Sequence, residues 1–166
     1  MAEQKRIFVV SDTHGNISGA IKAIEREKKN GVAEIWHLGD HAADAEVISE
    51  RTGIPAVSVR GNCDYAAYGS ELYKVVTVCG RKVFLTHGHG YGVGYSLMRL
   101  SLAAEEAGAE LALFGHTHVP SMDFVGRLII MNPGSISSPR MGSRHSYGIL
   151  RISADGIYPE LKSLED

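Results

Sequence analysis

Five short polar motifs recur along the chain, and each one follows an apolar run. They are Asp12-Thr13-His14, Gly39-Asp40, Gly61-Asn62, His87-Gly88-His89 and Gly115-His116-Thr117-His118. Carboxylate and imidazole side chains are ligands that divalent transition metals take in proteins. One histidine pair arises easily by chance, but two aspartates, an asparagine and four histidines in such motifs indicate a centre for two metal ions.

The spacing within the motifs favours shared ligation. Asp12 and His14 lie two residues apart, so in extended backbone their side chains share one side, and His116 and His118 have the same spacing. Asp40 follows a predicted strand, and its carboxylate has two oxygens that could bridge two cations. Mixed imidazole and carboxylate ligation without thiolate suits Mn, Fe, Zn, Co or Ni, and it is not typical of a closed structural zinc site.

The first half of the chain alternates predicted strands with predicted helices. The apolar runs predict strands at 6–10, 34–38 and 56–60, with helices at 17–29 and 43–51 between them. This alternation implies parallel strands joined by crossover helices. The motifs then lie at the carboxyl ends of strands, where open α/β sheets bind their ligands, so we expect them to meet in one cleft.

The second half of the chain predicts antiparallel strands as well. The predicted elements are strands at 72–78 and 82–86 joined by a hairpin, a helix at 95–107, a strand at 110–114, and hairpins around 125–127 and 154–156. Nothing in the sequence is typical of a linker or an internal repeat. With 166 residues and 44% hydrophobic content, the chain is predicted to form a single domain over 1–166.

The composition narrows the choice of partners. The 17 Lys and Arg residues against 19 Asp and Glu give a formal net charge of -2, which supplies no broad field for nucleic acid or a membrane surface. No apolar stretch approaches the length of a membrane span, and the start lacks the apolar region of a signal peptide, so a cytoplasmic protein is expected. Cys63 and Cys79 have no CxxC spacing and predict neither a disulfide framework nor a zinc knuckle.

The order of the motifs, D-x-H, GD, GN, HGH and GHTH, resembles that of the calcineurin-like metallophosphoesterases, and the match covers the whole chain. Within that family, Gly61-Asn62-Cys63-Asp64 and Asn132-Pro133-Gly134-Ser135 are similar to the small bacterial and archaeal phosphodiesterases of the YfcE type. The resemblance implies an α/β fold, namely a four-layer α/β/β/α sandwich of two mixed β-sheets, with a binuclear site across the strand ends.

Position by position, the resemblance implies two metal sites that share one carboxylate. One ion would be bound by Asp12, His14, Asp40 and His118, and the other by Asp40, Asn62, His87 and His116. The implied cofactors are two divalent transition-metal ions, with Mn2+ expected and Ni2+, Fe2+, Co2+ or Zn2+ as alternatives. The implied reaction is hydrolysis of a small phosphodiester by in-line attack of a metal-bridging hydroxide, with Asp40, Asn62 and His87 as catalytic residues. The resemblance also implies a homo-oligomer, either a dimer or a tetramer.

Cys63 departs from the family pattern, because many members carry a histidine there that is thought to assist the leaving group. A thiol has an unperturbed pKa near about 8.5, so at pH 7 it is mostly neutral and lacks the positive charge of an imidazolium. We therefore expect a bias toward phosphodiesters or activated leaving groups over the more highly charged monoesters. Cys63, His89 and Arg140 are predicted to contact the substrate, although an ordinary exposed loop histidine explains His89 equally well.

Other residues near the motifs allow two interpretations. His37, between Trp36 and Leu38, is predicted to be a hydrogen-bonded histidine, either in the core or beside a metal ligand that it supports. Asp64 either orients a neighbouring ligand or serves as an ordinary turn or helix-cap residue. Four tyrosines could pack a nucleoside or aryl group, or could equally serve structural packing or a subunit interface: Tyr65, Tyr68, Tyr91 and Tyr95.

The family resemblance leaves a second class of function open. The same fold serves as a protein-binding scaffold in the metallophosphoesterase-like subunit of retromer, whose metal site is degraded, so the fold alone does not establish catalysis. All seven expected ligand positions are filled here, which favours an enzyme over a scaffold. A phosphomonoesterase or nucleotide phosphatase, or a nuclease or cyclic-nucleotide phosphodiesterase, remains an alternative; the near-neutral charge gives no sign of a long nucleic-acid track.

Overall fold

The computed structural model describes residues 3–65 and 71–166, so Tyr68 lies outside the described residues. The helices are α1 (Ser18–Lys28), α2 (Asp44–Thr52) and α3 (Met98–Glu106), with a short 3-10 helix at His89–Tyr91. The strands are β1 (Gln4–Val10), β2 (Val32–His37), β3 (Ala56–Ser58), β4 (Tyr73–Val78), β5 (Arg81–Thr86), β6 (Leu111–Leu113), β7 (Ser121–Val125), β8 (Leu128–Asn132), β9 (Ser146–Ser153) and β10 (Gly156–Ser163).

The strands form two mixed five-stranded sheets. The first has the order β10-β9-β1-β2-β3 and the second the order β4-β5-β6-β8-β7. In the first sheet β1, β2 and β3 are parallel and β9 is antiparallel to β1, while in the second sheet β5, β6 and β8 are parallel. The chain combines parallel strands with three antiparallel hairpins, β4-β5, β7-β8 and β9-β10, so the predicted α/β class is confirmed.

Side-chain alternation along the central strands produces the layers. In β1, Ile7 and Val9 belong to the cluster between the two sheets, whereas Phe8 and Val10 pack against α1 and α2. In β5, Val83 and Leu85 face the first sheet and Phe84 packs against α3. Strands that are buried on both faces read as continuous apolar runs. The result is the predicted four-layer sandwich, with helices outside and the two sheets within.

Most element boundaries differ from the sequence prediction by one to three residues. The helix predicted at 95–107 begins at Met98, because the amides of Tyr95 and Ser96 bind the carbonyl of Gly92 in a turn, and the Ser96 hydroxyl accepts the Met98 amide at 3.1 Å. The strand predicted at 56–60 ends at Ser58. Among the described residues, no helix is long and apolar enough to cross a membrane.

Candidate metal centre

The ends of five strands deliver the polar motifs to one place. Asp12 follows β1, Asp40 follows β2 and Asn62 follows β3, all three in the first sheet. The second sheet supplies His87 at the end of β5, and His116 with His118 after β6. The site therefore straddles both sheets at the carboxyl ends of their parallel strands, as the sequence predicts.

One group of four side chains is compact enough to surround a single cation. The ligand atoms of Asp12, His14, Asp40 and His118 all lie within 4.8 Å of one another. Nε2 of His118 lies 3.1 Å from Oδ1 of Asp12, and Nε2 of His14 lies 3.6 Å from Oδ2 of Asp40. These are the four residues that the family resemblance assigns to the first ion.

The residues expected at the second ion also converge. Nε2 of His87 and Nδ1 of His116 each lie 3.0 Å from Oδ1 of Asn62. The same Nε2 of His87 also lies 3.4 Å from Oδ1 of Asp40. The two carboxylate oxygens of Asp40 thus face different groups, with Oδ2 toward His14 and Oδ1 toward His87, so this carboxylate could bridge two cations.

A buried carboxylate oxygen tests whether the site suits a cation. Oδ2 of Asp12 accepts hydrogen bonds from the Ser11 hydroxyl at 2.6 Å and from the His116 amide at 3.1 Å. Oδ1 is equally buried but takes no hydrogen bond from the residues that the structure describes. It faces Nε2 of His118, His87 and His14 at 3.1, 3.8 and 3.9 Å. An unsatisfied buried anion among imidazole nitrogens fits a bound divalent metal, which would complete its coordination.

Backbone carbonyls fix the direction of two imidazoles. Nδ1 of His87 lies 2.8 Å from the carbonyl of Leu38, and Nδ1 of His118 lies 2.6 Å from the carbonyl of Ser138. Since a carbonyl only accepts, each Nδ1 carries a proton, and Nε2 is the nitrogen directed at the site, where a neutral ring could bind a metal ion. This is the arrangement that metal-binding histidines generally show.

The ligand-bearing backbone is left-handed at most motif positions. Positive φ values occur at Asp12 (55°), His14 (47°), Asp40 (56°), His116 (68°) and His118 (60°). For residues other than glycine this conformation costs about 1 kcal/mol or more each, so surrounding contacts must hold it. The turn at each strand end swings the side chain into the cleft, a feature that spacing arguments based on extended backbone did not predict.

Asp64 organises the loop that carries Asp40. One of its carboxylate oxygens accepts the amides of Asp40 and Gly61, at 3.0 and 2.8 Å, and the other accepts those of His41 and Ala42, both at 2.9 Å. These contacts tie the loop after β2 to the loop after β3. These contacts fit both interpretations of Asp64, because it caps the turn at Gly61 and also binds the backbone amide of Asp40.

The roles of some residues that shape the site cannot be read from the sequence alone. The hydroxyls of Ser135 and Ser137 each donate to the carbonyl of Asp12 at 2.9 Å, and Ser137 also contacts the carbonyl of Thr13 at 2.9 Å. Asn132 donates to the carbonyl of Gly115 at 2.9 Å. The family-like segment that contains Asn132 and Ser135 pointed to their importance, but only the structure shows what they hold.

The aspartates and histidines of the cleft shift one another's pKa values. Burial alone would raise the pKa of Asp40, but contact with His87 and the Cys63 amide holds it far below its usual range, and His118 and His87 likewise lower the pKa of Asp12. The carboxylate of Asp12 in turn raises the pKa of His118. Both aspartates are thus anionic at neutral pH, as metal ligands must be.

The three predicted substrate-contacting residues lie around this cleft. Cys63 is exposed, its amide donates to Oδ1 of Asp40 at 3.0 Å, and burial together with the Asp40 charge raises the pKa of its thiol. The His89 ring centroid lies 5.5 Å from that of His87, and its Nδ1 is buried without a partner among the described residues. Arg140 is exposed, and its charge contributes to lowering the pKa of His116.

The remaining candidates separate clearly. His37 is fully buried and hydrogen-bonded through both ring nitrogens, so its interpretation as a core histidine is confirmed. Tyr65 lines a cavity of about 210 Å³ beside Cys63 and is 80% exposed. Tyr91 packs edge-on against Phe84, and Tyr95 is almost fully exposed. Of these three tyrosines, Tyr65 is the one that shares a cavity with Cys63.

Comparison with known proteins identifies the family. Residues 6–155 match the calcineurin-like phosphoesterase superfamily domain, and the chain belongs to this family. It is 32% identical over 151 residues to the probable metallophosphoesterase YsnB of Bacillus subtilis, covering 90% of this chain and 85% of YsnB. It is also 29% identical over 166 residues to the phosphodiesterase YfcE of Escherichia coli, covering 87% of this chain and 86% of YfcE.

Solved structures agree on the fold. A predicted phosphoesterase from Streptococcus pneumoniae superimposes with a TM-score of 0.82 at 26% identity, covering 99% of this chain and 92% of that protein. Vacuolar protein sorting 29 from Cryptosporidium parvum superimposes with a TM-score of 0.72 at 13% identity, covering 96% of this chain and 97% of that protein. The second likeness concerns the fold alone.

Proposed function

We propose that the protein is a phosphodiesterase that uses two divalent metal ions to hydrolyse a small phosphodiester. The observation that carries this proposal is the carboxylate of Asp40, whose Oδ1 lies 3.4 Å from Nε2 of His87 while its Oδ2 lies 3.6 Å from Nε2 of His14. A carboxylate set between two groups of imidazoles is suited to holding two cations side by side. The phosphodiesterase named YfcE supports the choice of substrate class.

The residues present fit two ions. The first would be held by Asp12, His14, Asp40 and His118, and the second by Asp40, Asn62, His87 and His116. Two such ions supply a water activated for in-line attack and offset the negative charge that develops on the phosphoryl oxygens. We expect Mn2+ as the native ion, with Ni2+, Fe2+, Co2+ or Zn2+ as alternatives, because the ligand set mixes imidazole with carboxylate and contains no thiolate.

The residues around the cleft have separate tasks. Asn62, His87 and Asp40 hold the reacting centre, and the bonds from Leu38 and Asp64 keep His87 and Asp40 in place. Arg140, at the exposed edge beyond His118, is proposed to contact a non-bridging oxygen of the phosphate, as an arginine fork can. The proton donors on His89 and Cys63 are proposed to face the ester oxygens.

Cys63 supports diesters over monoesters. A thiol is neutral or negative and never carries positive charge, so it cannot offset the second negative charge of a phosphomonoester. The raised pKa of the Cys63 thiol keeps it neutral at physiological pH. A phosphomonoesterase is accordingly the less favoured of the two esterase functions.

A protein-binding scaffold is the alternative of a different class, and the fold shared with vacuolar protein sorting 29 is compatible with it. The complete ligand set argues against a scaffold, because a buried carboxylate oxygen of Asp12 without a hydrogen bond is costly unless it binds a cation.

The test is a paired assay on Mn2+-reconstituted protein with bis(p-nitrophenyl) phosphate and p-nitrophenyl phosphate. We expect turnover of the diester that a chelator abolishes and that Mn2+ restores, with the Asp40→Asn variant as the inactive control. Absent turnover would overturn the proposed function and favour the scaffold. Turnover that persists in the chelator and in Asp40→Asn would overturn the proposed metal dependence.

A further inference from the structure

The middle residue of the first motif makes contacts that its ligand neighbours do not. Thr13 is fully buried between Asp12 and His14, both of which have left-handed backbone. Its hydroxyl lies 2.9 Å from Nε2 of His37 and 2.5 Å from Oδ2 of Asp44. A threonine hydroxyl that meets two buried or half-buried polar groups is fixed in direction, so the segment around it is fixed as well.

The hydrogen bonds that link His37, Thr13 and Asp44 each have a defined donor, and the protons are donated in the direction from His37 to Asp44. Nδ1 of His37 accepts the amide of Gly39 at 3.1 Å, so Nε2 carries the ring proton and donates it to the Thr13 hydroxyl. The Thr13 hydroxyl is then free to donate to Asp44, whose Oδ2 also accepts the amide of Gly15 at 2.9 Å. Full burial lowers the pKa of His37 to about 4, so the ring keeps one donor and one acceptor at neutral pH.

The three groups belong to three elements that meet at the site. Thr13 lies in the loop after β1, His37 is the last residue of β2, and Asp44 is the first residue of α2. Amides and carbonyls add to the connection, with Asp12 donating to Gly39 at 3.0 Å and His14 to Asp40 at 3.4 Å. The loop that carries two proposed ligands is thereby tied to the strand and helix on either side of Asp40.

We propose that Thr13, held between His37 and Asp44, is the positioning residue that sets the metal-binding geometry of Asp12 and His14. The proposal rests on the proposed metal site. The hydroxyl itself touches neither the cation nor the substrate; it acts by stabilising the left-handed turn from Asp12 to Gly15. Groups that orient metal ligands in this way typically change metal affinity about 10- to 100-fold when removed.

The test compares two variants of the same residue by calorimetric titration with Mn2+. Thr13→Val keeps the shape of the side chain but removes the hydroxyl, whereas Thr13→Ser keeps the hydroxyl. We expect Thr13→Val to bind Mn2+ about 10- to 100-fold more weakly than wild type, and Thr13→Ser to recover most of that loss. Circular dichroism and the unfolding temperature in chelator establish that each variant is folded.

Two further variants keep the test decisive if Thr13→Val does not fold. Asp44 is partly accessible at the start of α2, where Asp44→Asn retains an acceptor oxygen and Asp44→Ala does not. We expect Asp44→Ala to weaken Mn2+ binding and Asp44→Asn to weaken it less. A folded Thr13→Val, or a folded Asp44→Ala, that binds Mn2+ as tightly as wild type overturns the positioning role alone. A wild-type protein that binds no Mn2+ overturns both this proposal and the proposed function.

Discussion

Nε2 of His118 lies 3.1 Å from Oδ1 of Asp12, and that oxygen takes no hydrogen bond within the described part of the chain. The other oxygen of the same carboxylate is fully engaged by Ser11 and the amide of His116. In Asp12, therefore, Oδ2 serves the structure and Oδ1 is available to a cation. A mutation can distinguish these two roles.

The variant Asp12→Asn is expected to change stability in opposite directions with and without metal. At pH 8 in a chelator, the amide oxygen keeps the bonds from Ser11 and His116, while the amide nitrogen donates to His118, so the protein gains about 1 kcal/mol. In excess Mn2+ the wild type gains stability from binding, about 2.7 kcal/mol at one hundred times Kd, and the variant loses this gain. Thermal unfolding in both conditions measures whether the variant is more stable than wild type in chelator and less stable in Mn2+. A variant that Mn2+ stabilises as much as wild type would contradict the assignment of Asp12 as a ligand.

The substitution Cys63→His is expected to raise the ratio of monoesterase to diesterase activity. An imidazolium beside Asn62 and Asp40 would bring the positive charge that the thiol lacks, and the ratio should rise at least about ten-fold, since general acids contribute 10² or more. The measurement is kcat/KM for p-nitrophenyl phosphate and for bis(p-nitrophenyl) phosphate. Cys63→Ser, which stays uncharged, is the matched control, and an unchanged ratio in Cys63→His would refute the explanation of diester preference.

The absence of a side chain at Gly115 brings the two sheets into contact behind the site. A Cβ there would collide with the Ser11 hydroxyl and would lie 2.7 Å from Oδ2 of Asp12. Gly115→Ala is therefore expected to cost about 1 to 3 kcal/mol of unfolding free energy and to weaken Mn2+ binding, because Asp12 must move. Gly94→Ala, where a Cβ meets nothing within 4 Å, is the control in denaturant titration and calorimetry. Equal stabilities of the two variants would count against this packing.

A second ionic cluster, remote from the cleft, should govern stability in acid. Glu27 is 3% exposed and accepts hydrogen bonds from Arg6 and Lys162, both at 2.8 Å, and from Tyr147 at 3.0 Å. Burial alone would raise the pKa of Glu27, but Lys162, Arg6 and the other donors together lower it from 4.5 to about 2. The folded form thus holds the proton less tightly than the unfolded form.

The sign follows from linkage: the stabilisation from Glu27 is fully present above pH 4.5 and is lost as the pH falls toward 2. We expect the unfolding free energy to drop by up to about 3 kcal/mol across this range. Glu27→Gln should lower stability at pH 7 and flatten this acid-dependent part. Urea titrations between pH 7 and pH 2 measure both effects, and a variant with the same pH slope as wild type would show that other groups are responsible.

The sequence predicts the fold well where buried strands leave a strong pattern. The runs that became β1, β2 and β5 are apolar on both faces, and the glycines at 126 and 156 mark hairpins, so element types and order follow from local signals. The boundary of α3 was less accurate, because the turn through Gly92 that delays the helix depends on backbone hydrogen bonds with no distinctive residue pattern.

The candidate site, too, could be predicted only in part from the sequence. The positions of Asp40 and His87 follow from their motifs, since each comes directly after a strand whose end lies at the cleft. The roles of Thr13, Asp64 and Ser135 depend on contacts across 24 to 123 positions in sequence, which no local pattern encodes. The left-handed backbones at the ligand positions also required the structure, because φ above zero is unusual for aspartate and histidine.

Because Asp12, Asp40 and Asn62 come from one sheet and His87, His116 and His118 from the other, neither half of the chain holds a complete ligand set. Of the proposed ligands, the segment up to residue 65 contains only Asp12, His14, Asp40 and Asn62. The other three reach the cleft only when the later strands have docked. High-affinity binding at the proposed centre therefore requires that the two sheets have docked. A nascent chain emerging from the ribosome would have to complete its tertiary structure before it could bind metal ions at the proposed centre.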